Sequence, residues 1–291
     1  MKKRLLLLLI IFITVNLSSC TIGSSGVRFT KDSYPRVDGS TATIPLSEAA
    51  ASKLLSLSQD EVKKFIKHNR THQAYVNLID GKADIIFVTE PSADELELAK
   101  KAGIELEVVP VVKEAFVFLV NKNNPVDTIS SSQIQEIYTG KIINWKELGG
   151  KDMPIIAYQR PDNSGSQTNM LSKVMKGMPI MEAPKALKPA EMGGLIEAIA
   201  SYDNSENAIG YSVYYFANSM YIRETIKFVK INGVEPSNET IKTDKYPYTS
   251  AYYAVLKKTE PSDSNARKLL DWILSDNGQK IAEEAGYVPL R

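Results

Sequence analysis

Arg160-Pro161-Asp162-Asn163-Ser164-Gly165-Ser166-Gln167-Thr168 stands between two segments of different character. Before it runs Met153-Pro154-Ile155-Ile156-Ala157-Tyr158, an apolar stretch that reads as a short strand. After it comes Asn169-Met170-Leu171-Ser172-Lys173-Val174-Met175, which reads as the start of a helix. A strand, a turn of small residues and a helix form a unit of α/β architecture. The turn also leaves the first N–H groups of the helix unpaired, at the end carrying partial positive charge, and an anion suits that place. Ser164, Ser166 and Thr168 add hydroxyls, Gly165 permits close backbone approach, and Arg160 adds a permanent charge with a fork of donors. Ser, Thr and Gly before a helix are first of all an N-cap signal. The stretch gains weight from a second one of the same chemistry, Val37-Asp38-Gly39-Ser40-Thr41-Ala42-Thr43-Ile44-Pro45-Leu46. Two such loops imply an oxyanion gripped from two sides.

Outward from these loops, helical and strand patterns alternate along the whole chain. The spacing predicts helices over 46–57, 73–79, 92–102, 132–138, 169–175, 194–201 and 266–285, the last with a break at Asn277-Gly278. Strands are predicted over 84–88, 106–110, 115–121, 155–159, 208–211, 227–231 and 251–256. The fold class is therefore α/β, with mainly parallel sheets flanked by helices. There is no internal repeat.

The first residues read as a targeting segment. Lys2, Lys3 and Arg4 precede an apolar run over 5–15 that is too short to span a bilayer comfortably. The run ends in Leu17-Ser18-Ser19-Cys20, which resembles a bacterial lipobox. The resemblance implies removal of residues 1–19, a lipid on Cys20 and a short tether over 20–27. Cys20 is the single cysteine, so no disulfide can form within one chain. The 35 basic and 34 acidic residues nearly balance, and loss of the leader tips the chain slightly acidic. That charge gives no support for nucleic-acid binding.

Several kinds of chemistry lack their parts. Ser164-Gly165-Ser166 is not a Gly-x-Ser-x-Gly nucleophile turn. His68 and His72 are the two histidines, and Asn69-Arg70-Thr71 between them lacks the glutamate of a His-Glu-x-x-His zinc site. No enzyme activity, metal or cofactor is expected. Tyr211, Tyr214, Tyr215, Tyr252 and Tyr253 would suit the wall of a larger organic-anion pocket, although aromatic residues in strands more often belong to the core.

The chain resembles the substrate-binding proteins of phosphate ABC transporters, which have the type II periplasmic-binding-protein fold. The likeness is carried by Asp38-Gly39-Ser40-Thr41, Gly81-Lys82-Ala83-Asp84-Ile85, Ile137-Tyr138-Thr139-Gly140-Lys141-Ile142-Ile143-Asn144-Trp145, Arg160 to Thr168, Ala208-Ile209-Gly210-Tyr211 and Trp272 to Leu290, ending Ala285-Gly286-Tyr287-Val288-Pro289-Leu290. It implies two lobes, one over 28–120 and 250–291 and the other over 121–249, crossing near Asn121 and Ser250. Residue by residue it implies a phosphate site from Ser40, Thr41, Arg160, Ser164, Gly165 and Ser166. Gly39, Thr71, Thr89, Glu90 and Gly194 are further candidates. Many relatives place an aspartate after the strand matching 84–88. Here Thr89-Glu90 stands there, so Glu90 or Asp38 would have to accept the proton of phosphate, and without such an acceptor sulfate or molybdate would fit as well. The implied partners are an ABC permease and, through the lipid, the membrane; a monomer is expected.

Overall fold

The computed structural model describes residues 27–201 and 206–291. The leader, the lipobox and Cys20 lie outside the described residues. The chain opens with β1 (Val37–Gly39), α1 (Ile44–Leu55), α2 (Gln59–Phe65), α3 (Thr71–Ile79), β2 (Ile85–Val88), α4 (Ala93–Lys101) and β3 (Leu106–Asn121). There follow β4 (Thr128–Ile129), α5 (Ser131–Tyr138), β5 (Ile156–Ala157), α6 (Gly165–Asn169) continued by a π-helical segment (Met170–Met175), α7 (Met192–Ala200) and β6 (Ala208–Val213). The last elements are β7 (Ile226–Phe228), β8 (Lys230–Ile231), α8 (Asn238–Lys242), β9 (Thr249–Lys257), α9 (Asn265–Leu274) and α10 (Asp276–Glu284).

The main sheet runs β1-β2-β9-β3-β6-β5, with β7 also on β3, while β4 and β8 pair separately. The 16-residue β3 joins two halves. Leu106 to Ala115 pair with β9, whereas Phe116 to Asn121 pair with β6 and β7. The chain therefore passes between sheet halves at Ala115–Phe116, earlier than the crossing expected near Asn121, because one unbroken strand spans the two predicted ones. It returns at Thr249, beside the expected Ser250. A register shift between Pro110 and Val112 interrupts the β3–β9 ladder, where proline has no N–H to donate.

Parallel pairing in the main sheet is confined to β1–β2 and β5–β6, each joined through intervening helices, as parallel strands require. The centre is antiparallel, because β9 and β6 both run against β3. β2 is buried along its length, and its residues alternate between two packing layers. Ile85 and Phe87 face the main core; Ile86 and Val88 face α3 through Ala74, Tyr75 and Leu78. Burial on both faces explains why its sequence is continuously apolar rather than alternating.

Trp145 is fully buried and donates its indole N–H to Asn207 O at 2.9 Å, so this distinctive residue serves packing. The long C-terminal helical pattern breaks at Ser275, not at Asn277-Gly278. Ser275 Oγ caps α10 by accepting the Gly278 N–H. A Cβ on Gly278 would lie 2.1 Å from the Trp272 carbonyl oxygen, so the tight corner requires glycine there.

Candidate functional site

The N-terminal ends of four helical segments converge on one cavity of about 270 Å³. From the first half come Ser40, Thr41 and Ala42 before α1, Arg70, Thr71 and His72 at the start of α3, and Thr89 after β2. From the second half come Arg160 and the turn Pro161 to Ser166 before and into α6, with Ala190, Glu191 and Met192 before and into α7. Val213 and Tyr252 complete the wall. The structure thus brings Ser40, Thr41, Thr71, Thr89, Arg160, Ser164, Gly165 and Ser166 to a single place.

Arg160 follows β5 and is 5% exposed. Its Nε donates to Pro189 O at 3.0 Å and its Nη2 to Ala190 O at 2.9 Å. Its Nη1 is buried without a partner. Burial, the largest influence, pulls the guanidinium below its ordinary pKa. Two carbonyls fix the plane of the group, yet no carboxylate pairs with it among the described residues. A buried cation of this kind is costly unless an anion meets it. Behind it, Tyr211 OH accepts the Arg160 backbone N–H at 3.0 Å and itself donates to Gln167 Oε1.

Ser164 is the N-cap of α6; its Oγ accepts the Gln167 N–H at 3.2 Å. The local N-cap reading and the anion reading are compatible, since capping uses a lone pair and leaves the O–H proton free. Ser166 Oγ is buried and unpartnered. Gly165 packs closely against the other half. A Cβ there would sit 2.4 Å from Thr89 Oγ1 and 3.0 Å from Thr71 Oγ1. Thr89 Oγ1 is also buried without a partner.

The first-half loop is braced from behind. Ser40 N–H donates to Phe87 O at 2.9 Å, and Ser40 Oγ lies 3.2 Å from Thr43 Oγ1. His68 Nδ1 is 2.8 Å from the Ser40 carbonyl, which can only accept, so Nδ1 carries the proton. His68 Nε2 is then the acceptor for Ser47 Oγ at 3.1 Å. Burial lowers the His68 pKa, which keeps the ring neutral.

Four candidates lie elsewhere than the cavity wall. Gly39 packs against Phe87 O and the His68 ring, where a Cβ would meet them at 2.4 and 2.8 Å; its role is close packing. Gly194 lies inside α7, two residues past Met192, the last wall residue there. Glu90 turns its carboxylate to Lys173 Nζ at 2.6 Å and Tyr253 OH at 3.1 Å. Asp38 is saturated by N–H donors from Gly39, the Asn69 backbone, and the Asn69 and Asn77 side chains. The carboxylates on the wall are Asp162 and Glu191, and Glu191 pairs with Arg70 at 2.9 Å.

Sequence reasoning missed Arg70 and Asn163, and it weighed Tyr252 as the wall of a larger pocket or as core. Arg70 precedes α3 with φ of 70° and ψ of 163°, a conformation rare for a side-chain-bearing residue and a sign of local strain. Asn163 also has positive φ and donates to Asp94 Oδ2 at 2.9 Å, across to the other half. Arg70–Glu191, Asn163–Asp94 and Lys173–Glu90 therefore all bridge the halves.

A family model described as a PBP superfamily domain matches residues 29–277. A phosphate-binding protein PstS of Bacillus subtilis (strain 168) is 27% identical over the whole chain and 95% of its own length. A protein from Clostridium perfringens, assigned as a phosphate ABC transporter substrate-binding protein and solved with bound phosphate, is 29% identical with a TM-score of 0.67. The match covers 88% of this chain and 98% of that one. An ABC-type phosphate transport receptor from Vibrio cholerae shares the fold, with a TM-score of 0.63 at 19% identity over 87% of this chain and 98% of that one.

Proposed function

The chain belongs to the PBP superfamily, and from that premise we propose that it captures inorganic phosphate outside the cytoplasm for an ABC transporter. One observation carries the reading. Thr89 Oγ1, Arg160 Nη1 and Ser166 Oγ are all buried, all unpartnered and all on residues of one cavity wall. Each can donate a hydrogen bond, and buried donors left unpaired are costly. A tetrahedral oxyanion would satisfy them together. The size of the cavity alone would also admit a small organic anion; the density of donors favours the inorganic ion.

In this reading Ser40, Thr41, Thr71, Thr89, Arg160, Ser164, Gly165 and Ser166 form the phosphate site. Hydroxyls, Arg160, the N–H groups of Thr41 and Ala42 before α1 and the first N–H groups of α3 and α6 replace the ion's water shell. No bond in the ligand is made or broken. Residues 28–120 with 250–291 act as one lobe and 121–249 as the other, closing over the ion as hinged binding proteins do. Residues 1–19 are removed, Cys20 carries a lipid that anchors the monomer to the outer face of the cell membrane, and the closed form docks on the permease. The test is calorimetric titration with phosphate, sulfate, arsenate and molybdate. Phosphate at a hundredfold over its Kd is expected to stabilise the fold by about 2.7 kcal/mol. Failure of all four anions to bind would end the proposal.

A further inference from the structure

Two buried groups beside the cavity have no part in the grip described above. Glu114 sits on β3 just before the strand changes partners and is 2% exposed. Its carboxylate accepts the Ala115 N–H at 2.8 Å and the Tyr215 N–H at 3.1 Å. No lysine or arginine pairs with it among the described residues. Tyr252 lies on β9 opposite Val112, is fully buried and lines the cavity. Its hydroxyl comes near Glu114 yet completes no hydrogen bond of good geometry. A buried carboxylate without a counter-ion and a buried phenol without a partner, side by side at a ligand cavity, are each expensive to maintain.

We propose that Tyr252, oriented by Glu114, is the contact that distinguishes a protonated oxyanion from a fully ionised one. The inference rests on the phosphate reading and specifies its selectivity. An ionised carboxylate can only accept, so Glu114 draws the Tyr252 O–H toward itself. The phenol oxygen then presents lone pairs to the cavity. Phosphate near neutral pH keeps a proton and donates it to that oxygen. Sulfate has none to offer; it meets a lone pair with a negative charge behind it. Discrimination then arises from what the wrong ligand leaves unpaired. The other carboxylates are poorly placed for this task. Glu90 and Asp38 are engaged away from the cavity, Glu191 is paired with Arg70, and Asp162 is solvent-exposed. Tyr214 and Tyr215 after β6 and Tyr287 near the C-terminus also approach Glu114, and none of them carries a positive charge.

The experiment is calorimetric titration of the full mature protein, Tyr252→Phe and Glu114→Gln with phosphate and sulfate. It is run at mildly alkaline pH, above the value of about 7 to which burial raises the Glu114 carboxyl. In Tyr252→Phe phosphate is expected to weaken about tenfold while sulfate stays level, the loss of one hydrogen bond to a charged ligand. In Glu114→Gln sulfate is expected to tighten relative to phosphate, so the affinity ratio falls in the same direction. Equal weakening of both anions, or an unchanged ratio in either folded variant, overturns the inference and leaves the phosphate reading intact. A wild-type protein that binds neither anion overturns the functional reading itself. Should Tyr252→Phe fail to fold, the Glu114→Gln ratio decides alone.

Discussion

The two small-residue loops at the cavity share a composition but are built in opposite ways. Before α1, the polar groups are spent on one another. Ser40 is tied to Phe87, Thr43 and His68, and the Asp38 carboxylate is filled by neighbouring N–H donors. Before α6, the groups are propped from behind and left open in front. Two carbonyls hold Arg160, Ser164 caps its own helix, and Arg160 Nη1 and Ser166 Oγ have no partner. The first half offers a stiff cradle whose free hydroxyls, Thr89 and Tyr252, come from strand neighbours rather than from the loop. The second half supplies the buried charge. Small polar residues before a helix are therefore ambiguous until it is known whether the surrounding fold consumes their hydrogen bonds.

Arg160→Ala tests the asymmetry at its strongest point. The variant loses the one buried cation among the described residues and its unpaired donor, so phosphate affinity should fall by at least about a hundredfold, in line with truncating a buried charge partner. The same change removes an uncompensated charge from the empty protein, so the ligand-free melting temperature should hold or rise. Calorimetry and thermal melts read the two quantities separately. An Arg160→Ala protein that binds phosphate as tightly as the wild type would make the two loops equivalent and remove the contrast.

Gly165→Ala probes where the halves meet. An added methyl would lie 2.4 Å from Thr89 Oγ1, far inside contact distance, so either α6 or Thr89 has to shift. Affinity is expected to drop about tenfold, with little loss of stability in the free protein, because the clash exists only when the halves are together. Removing the obstacle in Thr89→Ala gives a double-mutant cycle. Coupling near zero would mean that Gly165 and Thr89 do not touch in the bound state.

The local parts of this architecture are legible in the sequence and the long-range parts are not. Residues 155–169 announce a strand, a turn and a helix because each step depends on neighbours in sequence. β1 escapes notice, being three residues long inside a stretch of loop composition. The separate readings of 106–110 and 115–121 as strands missed their union, since Pro110 and the charges of Lys113-Glu114 break the apolar run. Those charges were themselves a signal. Lys113 finds Asp244 at 2.6 Å, whereas Glu114 finds only backbone N–H groups and Tyr252 nearby. Tyr252 is indistinguishable in sequence from the core aromatics of its strand, because facing a cavity or facing a core depends on the fold of both halves. Glu90 illustrates the converse. Its position beside Thr89 made it a candidate acceptor, and the deciding partner, Lys173, lies 83 residues away.

That pair sets the smallest expected effect. Lys173 and Glu90 are 20% and 31% exposed in their side chains and connect the second half to the first at 2.6 Å. Partly solvated pairs of this kind contribute roughly 0.2–1 kcal/mol. Lys173→Ala should therefore raise the phosphate release rate by about two- to fivefold in stopped-flow measurements, with association nearly unchanged, since related complexes differ mostly in dissociation. The difference between wild type and variant should shrink as salt screens the pair. Arg70 and Glu191, which are well exposed, should show a weaker version of the same behaviour. Identical release rates at low salt would assign Lys173–Glu90 to surface decoration and leave Gly165 against Thr89 and Asn163 with Asp94 as contacts by which one half senses the other.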